Sequence, residues 1–225
     1  MERETKIIVT GDGSHSLYLP HLNETYHSSH GAITESRHIF IKAGLDHFFE
    51  NHPDQPIHIL EIGFGTGLNA LLTWEWSRKL QQPVQFNSLE PFPLTSEIYE
   101  QLNYTEGMEA WASAAFHDMH EAEWNAVNEM GDSFSLHKVN VKLEDFSSDQ
   151  HYQLVFFDAF APSKQAELWH FEILEKTVGF MAANAVLVTY CAKGQFKRDL
   201  AALGLEVETL PGPPGKKEMV RGTNT

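Results

Sequence analysis

The sequence predicts an α/β fold of the Rossmann-like kind: a mostly parallel sheet, an antiparallel C-terminal strand pair and a small N-terminal hairpin extension. Three observations predict it. Short apolar runs alternate with stretches of helical spacing along most of the chain, the pattern of repeated strand–helix units and so of a parallel sheet covered on both faces. A glycine-rich turn stands between the first such strand and the helix after it. And 225 residues, 42% of them hydrophobic, suffice for one domain with a sizeable core. We read 1–225 as that domain, with 1–35 an N-terminal extension and 95–135 a helical insertion.

The elements follow in order. Residues 5–19 alternate around Gly11-Asp12-Gly13-Ser14 and read as a hairpin. Ile39, Phe40, Ala43, Leu45, Phe48 and Phe49 give residues 36–50 a helical stripe, and Pro53 and Pro56 end it. Residues 57–60 form a buried strand, 66–80 a helix and 84–89 a second strand. Residues 95–130 read as mostly helical, with Trp111 and Trp124 for packing. Strands are expected at 139–143 and 154–157, a helix at 166–182, a strand at 185–190 and a helix at 196–203 ended by Gly204. Residues 206–210 and 219–221 close the sheet as an antiparallel pair.

Composition removes several classes. No apolar run reaches the length of a membrane span, and residues 1–4 do not resemble an export signal. Cys191 is the only cysteine, so no intrachain disulfide forms and a reducing cytoplasm suits the chain. No CxxC pair is present, and His27/His30 and His117/His120 lack acids at ligand spacing, so no metal is expected.

Parallel sheets bind ligands beyond the carboxyl ends of their strands, and four strand ends carry candidates. The first reads Glu61-Ile62-Gly63-Phe64-Gly65-Thr66-Gly67-Leu68-Asn69. Its glycines permit a tight turn and close approach to a ligand, and the free N–H groups of the next helix open into it. Glu61 would repel bound phosphates but can pair with an ammonium group. That favours S-adenosylmethionine over a dinucleotide, and with it a class I S-adenosylmethionine-dependent methyltransferase fold. Glu90 ends the second strand, placed to accept both ribose hydroxyls. At the third, Glu144 or Asp145 can meet the adenine amino group, and the sequence does not choose between them. At the fourth, Leu154-Val155-Phe156-Phe157 runs directly into Asp158, followed by Ala159, Phe160 and Pro162. An acid emerging from a buried strand is costly unless it caps the backbone or serves a site. Asp158 is therefore the candidate catalytic group, and Phe160 and Pro162 a wall for the substrate.

Three segments together resemble the standalone methyltransferases of the MnmC/MnmD-like family: Tyr26-His27-Ser28-Ser29-His30-Gly31-Ala32-Ile33-Thr34-Glu35-Ser36-Arg37-His38-Ile39-Phe40, Glu61 to Asn69, and Asp158 to Pro162. Trp169 and Gly215-Lys216-Lys217-Glu218-Met219 extend the likeness over nearly the whole chain. The resemblance implies N-methylation of the aminomethyl group of 5-aminomethyl-(2-thio)uridine at the tRNA wobble position, giving the 5-methylaminomethyl form. Two-domain relatives add a flavin-dependent oxidase, for which this chain has no room. It also implies that Tyr26, Ser28, Gly31, Glu35 and Ser36 fold over the cofactor, and leaves room for other wobble-uridine enzymes as partners. Lys142 stands where relatives often carry an acid, which weakens the adenine assignment.

Charge complicates a tRNA partner. The chain carries a net charge of −15, which normally opposes nucleic acid. From residue 193 onward, six basic residues against four acids give a local +2, so Lys193, Lys216 and Lys217 are expected at phosphates, and Tyr190 beside the acceptor. Two other functions fit: a methyl- or aminopropyltransferase acting on a small amine, and a non-catalytic cofactor-binding module docking on tRNA.

Overall fold

A computed structural model describes residues 5–225; the export-signal reading of residues 1–4 lies outside it. The order of elements follows the expected one, with three shifts. Two hairpin strands, β1 (Lys6–Val9) and β2 (His15–Leu19), join β3 (Glu24–Thr25) in a small antiparallel sheet. A continuous helical rod follows: α1 (Ala32–Ser36), a π-helical stretch (Arg37–Asp46) and α2 (His47–Asn51). Then come β4 (Ile57–Ile62), α3 (Leu68–Leu80) and β5 (Val84–Leu89). In the insertion only α4 (Ser96–Tyr99) and α5 (Trp111–Glu121) are helical, and its end becomes an edge strand, β6 (Val127–Glu129). The third core strand is β7 (Phe134–Val139), earlier than expected. β8 (Tyr152–Phe157), a 3-10 turn (Ala166–Trp169), α6 (Phe171–Gly179), β9 (Met181–Thr189), α7 (Gly194–Ala202), β10 (Leu205–Pro211) and β11 (Glu218–Asn224) complete the chain.

The helix expected over 166–182 is thus split at His170, whose extended backbone starts α6, and the strand after it begins by residue 181. The strand expected at 139–143 is displaced because Val139, Val141 and Leu143 alternate like a strand, yet Val141 N–H already turns back to Val139 O. The true strand was masked by His137 and Lys138 in its middle. Lys138 is fully buried: its Nζ donates to His120 O at 2.6 Å and lies 4.6 Å from the Trp124 ring, so the charge is partnered rather than exposed.

The main sheet has eight strands in the order β10-β11-β9-β8-β4-β5-β7-β6. The five central strands are parallel; β11 runs against them beside β9 and pairs antiparallel with β10 at that edge, and β6 pairs antiparallel with β7 at the other. Alternate side chains go to opposite faces. Ile59, Phe86, Phe156 and Val188 pack under the α1–α2 rod and α3. Leu60, Val155, Phe157 and Leu187 pack under α6 and α7. From β4 the chain moves outward through β5 and β7, then returns to place β8 on the other side of β4. The carboxyl ends of β4 and β8 therefore flank the point where strand order reverses, where open α/β sheets bind ligands.

Candidate functional site

A cleft of about 1580 Å³ opens at that point. Ordinary small-molecule pockets measure about 300–1,000 Å³, so it has space for a cofactor and part of an acceptor. Its floor is the turn after β4. Gly63 (φ +95°) donates its N–H to Leu89 O at 2.9 Å, and a Cβ there would sit 3.1 Å from Asp158 O. Gly65 (φ +50°) passes under Tyr26, whose ring lies 3.1 Å from where a Cβ would be. A side chain at either position would block the approach of strand, turn and covering segment.

Glu90 locks this turn. Its Oε2 accepts from Gly65 N–H at 3.0 Å and its Oε1 from Phe92 N–H at 2.8 Å, while Asn140 Nδ2 holds its carbonyl at 2.9 Å. Glu90 lines the cleft, and a carboxylate oxygen can accept more than one hydrogen bond. Glu61 lies deeper. It is 1% exposed, accepts Ser88 Oγ–H at 2.5 Å and is not part of the cleft lining. Burial pushes its carboxyl well above the usual range, and the charges of Asp158 and Glu90 add to that. At this depth it supports the turn and Asn69.

Asn69, in the first turn of α3, connects the two strand ends. Its Nδ2 donates to Asp158 Oδ2 at 2.9 Å, and its Oδ1 is buried without a protein partner. Burial pushes Asp158 up to about 7; Glu35 adds to the rise, and the Asn69 hydrogen bond and Lys216 oppose it. The loop after Asp158 is braced at Phe160, whose N–H donates to Gln165 Oε1 at 3.2 Å and whose carbonyl accepts Trp169 Nε1–H at 2.9 Å. Tyr190 O–H donates to Ala159 O at 2.7 Å.

The segment before α1 covers the cleft. The Tyr26 ring meets Phe160 edge-on at 5.1 Å. Glu35 reaches back, its Oε2 accepting Ser28 N–H at 2.7 Å, and its Oε1 pairs with Lys216 Nζ. His27 is buried and shares a 2.7 Å hydrogen bond with Thr66 Oγ1; burial holds it down at about 4.

The structure brings Tyr26, Ser28, Glu35, Gly63, Phe64, Gly65, Thr66, Asn69, Glu90, Glu144, Asp158, Ala159, Phe160, Tyr190 and Lys216 into one cleft lining. Gly31, Ser36, Glu61, Gly67, Asp145, Pro162, Lys193 and Lys217 lie outside it. Of the two acids at the third position, Glu144 faces the cleft and Asp145 is exposed away from it. The expected basic tail needs correction. Lys216 turns inward to Glu35 and Tyr190, Arg221 pairs with Glu208, and Lys197 with Glu218; Lys193 and Lys217 stay exposed. Lys164, Gln165 and the 91–98 rim belong to the cleft but were not signalled by sequence, because nothing in their spacing separates them from ordinary loop residues. Among the described residues no cluster of three or more His, Cys, Asp or Glu could hold a metal ion, and no helix is long and apolar enough to cross a membrane.

Three features fit S-adenosylmethionine: a side-chain-free turn at Gly63 and Gly65, an unpartnered buried acceptor on Asn69 for a ligand donor, and a strand-end carboxylate at Glu90. Comparison with known proteins agrees. A family described as S-adenosyl-L-methionine-dependent methyltransferase matches residues 114–225. The tRNA 5-methylaminomethyl-2-thiouridine biosynthesis bifunctional protein MnmC of Chromobacterium violaceum is 30% identical over 88% of this chain and 32% of its own length. Its counterpart in Methylobacillus flagellatus is 27% identical over 92% of this chain and 34% of its own length. The chain thus spans about a third of the curated relatives it matches. The crystal structure of MNMC2 from Aquifex aeolicus superposes with a TM-score of 0.82 at 24% identity, over all of this chain and 71% of that one. Spermidine synthase from Thermotoga maritima shares the fold at a TM-score of 0.55 and 14% identity, over 98% of this chain and 69% of that one. Residues 114–225 thus fall within a family of S-adenosylmethionine-dependent methyltransferases, and nearly the whole chain is similar to the MnmC proteins over about a third of their length.

Proposed function

We propose that this chain N-methylates the aminomethyl group of 5-aminomethyl-(2-thio)uridine at the tRNA wobble position, giving 5-methylaminomethyl-(2-thio)uridine. The observation that carries the reading is Asp158, a desolvated carboxylate at about 7, at the junction of the β4 turn with the Tyr26–Phe160 wall. An acceptor amine is a cation in water and reacts only when neutral, so the site must hold it and take its proton. The cleft is built for a cation: seven carboxylate side chains against three lysines among its described lining residues. The family name of the MnmC relatives supplies the identity of the amine.

When bound, S-adenosylmethionine supplies an electrophilic methyl group on a sulfonium. Glu90 and the Gly63–Gly65 turn hold the ribose and amino-acid ends, and Asn69 Oδ1 accepts from the ligand ammonium. Glu144 faces the adenine side. Asp158 accepts a hydrogen bond from the acceptor amine and takes the proton that nitrogen releases; its raised basicity makes it a better base than a free carboxylate. Tyr26 and Phe160 exclude water around the reacting nitrogen. The proposed tRNA substrate supports a cytoplasmic setting, and we read residues 1–225 as one methyltransferase domain.

The acidic cleft favours one second reading, a small polyamine as acceptor. Transfer of labelled methyl from S-adenosylmethionine, with tRNA bearing a free 5-aminomethyl wobble group set against spermidine, separates the two. Label in the tRNA, recovered as the 5-methylaminomethyl nucleoside, is the expected result. Label in spermidine alone removes the tRNA reading.

A further inference from the structure

The ammonium of Lys216 sits inside the site. It pairs with Glu35 and lies 4.0 Å from the centre of the Tyr190 ring. That ring is fixed by its hydroxyl on Ala159 O, the residue after Asp158. Lys216 comes from the loop between β10 and β11, which packs so closely on His30 that a Cβ at Gly215 would overlap the imidazole. His38 Nε2 also meets Pro211 O at 2.8 Å. The loop is thus anchored on the covering segment through His30 and on the helical rod through His38. A lysine recruited only to phosphates would need neither a buried carboxylate nor an aromatic face.

We propose that Lys216 is a positioning residue for the proton step, its fixed ammonium keeping both Asp158 ionised and the acceptor amine neutral. This rests on the amine-acceptor reading above. A permanent positive charge disfavours a second cation beside it and favours an anion, so one group prepares both reactants. Glu35 works against it and holds it in place: its charge raises Asp158, while Lys216 lowers it. The other groups facing Asp158 are Glu61 from β4, Asn69 from α3 and Tyr190 at the end of β9. None of them is a cation, and of the lysines in the described lining Lys216 is the one whose charge lowers Asp158.

The test is the titration of the Asp158 carboxyl, followed by carboxyl ¹³C NMR in the cofactor-free chain and assigned by its loss in Asp158→Asn. Lys216→Met should move the midpoint upward by about one unit, the low end for losing a neighbouring opposite charge. Lys216→Arg should restore it, and Glu35→Gln combined with Lys216→Met should bring it back to or below the parent. In methyl transfer, Lys216→Met should lose about tenfold in kcat at pH 7 and recover most of it by pH 9, where amine and carboxylate are both deprotonated without help. An unmoved midpoint, with activity reduced equally at every pH, would make Lys216 a mere latch on Glu35 and overturn the proposal. The carboxyl titration needs no acceptor, so a moved midpoint without tRNA methylation sustains the role of Lys216 on Asp158 and removes the acceptor instead.

Discussion

Asn69 Nδ2 donates to Asp158 Oδ2 at 2.9 Å, tying the first turn of α3 to the end of β8. The bond aligns the carboxylate across the point where strand order reverses, and it favours the ionised form. Asn69→Leu removes it. Methyl transfer should fall about tenfold or more at pH 7, with its acid limb moved upward, because Asp158 then loses a proton less readily. A pH–rate profile checks this; a limb in the parent position would separate Asn69 from Asp158.

Asp158→Asn should trade activity for stability. Transfer should fall by roughly 10²–10⁴, the range for a positioned acid–base group. The stability change has a sign fixed by linkage. A carboxyl raised in the fold costs stability above its folded value, near 7, and the cost fades as pH drops towards the unfolded value near 4. The variant should therefore be more stable than the parent at pH 8, by on the order of 2 kcal/mol after allowing for partial exposure, and equal to it near pH 4. Denaturant unfolding at the two pH values is the measurement. An equal difference at both would mean the carboxyl is not raised.

Much of this was legible, and the failures have causes. The run from Leu154 to Phe157 into Asp158 reads as a buried strand with a costly acid at its end, and the structure holds it as a central strand. Glu61 to Asn69 reads as a strand, turn and helix because glycine adopts the positive φ of the turn at least cost. β7 was missed because Lys138 is buried by partners from α5 and Trp124, distant in sequence. The inward turn of Lys216 is illegible for the same reason: its partner Glu35 is 181 residues away, beyond the reach of local charge counting. Periodicity reports a face, not what a remote segment brings to it.

Glu90→Ala should weaken S-adenosylmethionine binding by about 1.5–3 kcal/mol, the value of hydrogen bonds to a charged group. It should also destabilise the fold by about 1–3 kcal/mol, since Gly65 N–H and Phe92 N–H lose their acceptors. Calorimetry with thermal unfolding measures both. Weaker binding with unchanged stability would mean the turn does not depend on Glu90.

Gly65→Ala puts a Cβ 3.1 Å from the Tyr26 ring at φ +50°. The left-handed conformation alone costs roughly 1–2 kcal/mol, and the covering segment must shift. Cofactor affinity should drop, and Tyr26→Ala should recover part of the loss by clearing the contact. A double variant no better than Gly65→Ala would show the clash to be unimportant.

Lys217→Ala tests the remaining surface charge. Lys217 is exposed and outside the cleft lining. Losing one phosphate contact should lower the salt slope of tRNA binding by about 0.7–0.9 and leave S-adenosylmethionine affinity intact. Filter binding across a salt series reads it, and an unchanged slope would place the docking face elsewhere.

If Asp158 takes the proton of a tRNA-borne amine, the rate of methyl transfer follows the ionisation of its carboxyl. Single-turnover methyl transfer to tRNA carrying 5-aminomethyluridine at the wobble position, followed across pH, tests it most directly. The expected rate rises through a midpoint near 7 in the parent, with Asp158→Asn slow at every pH and without that limb. A rate in Asp158→Asn equal to the parent's, with the same pH profile, would contradict it.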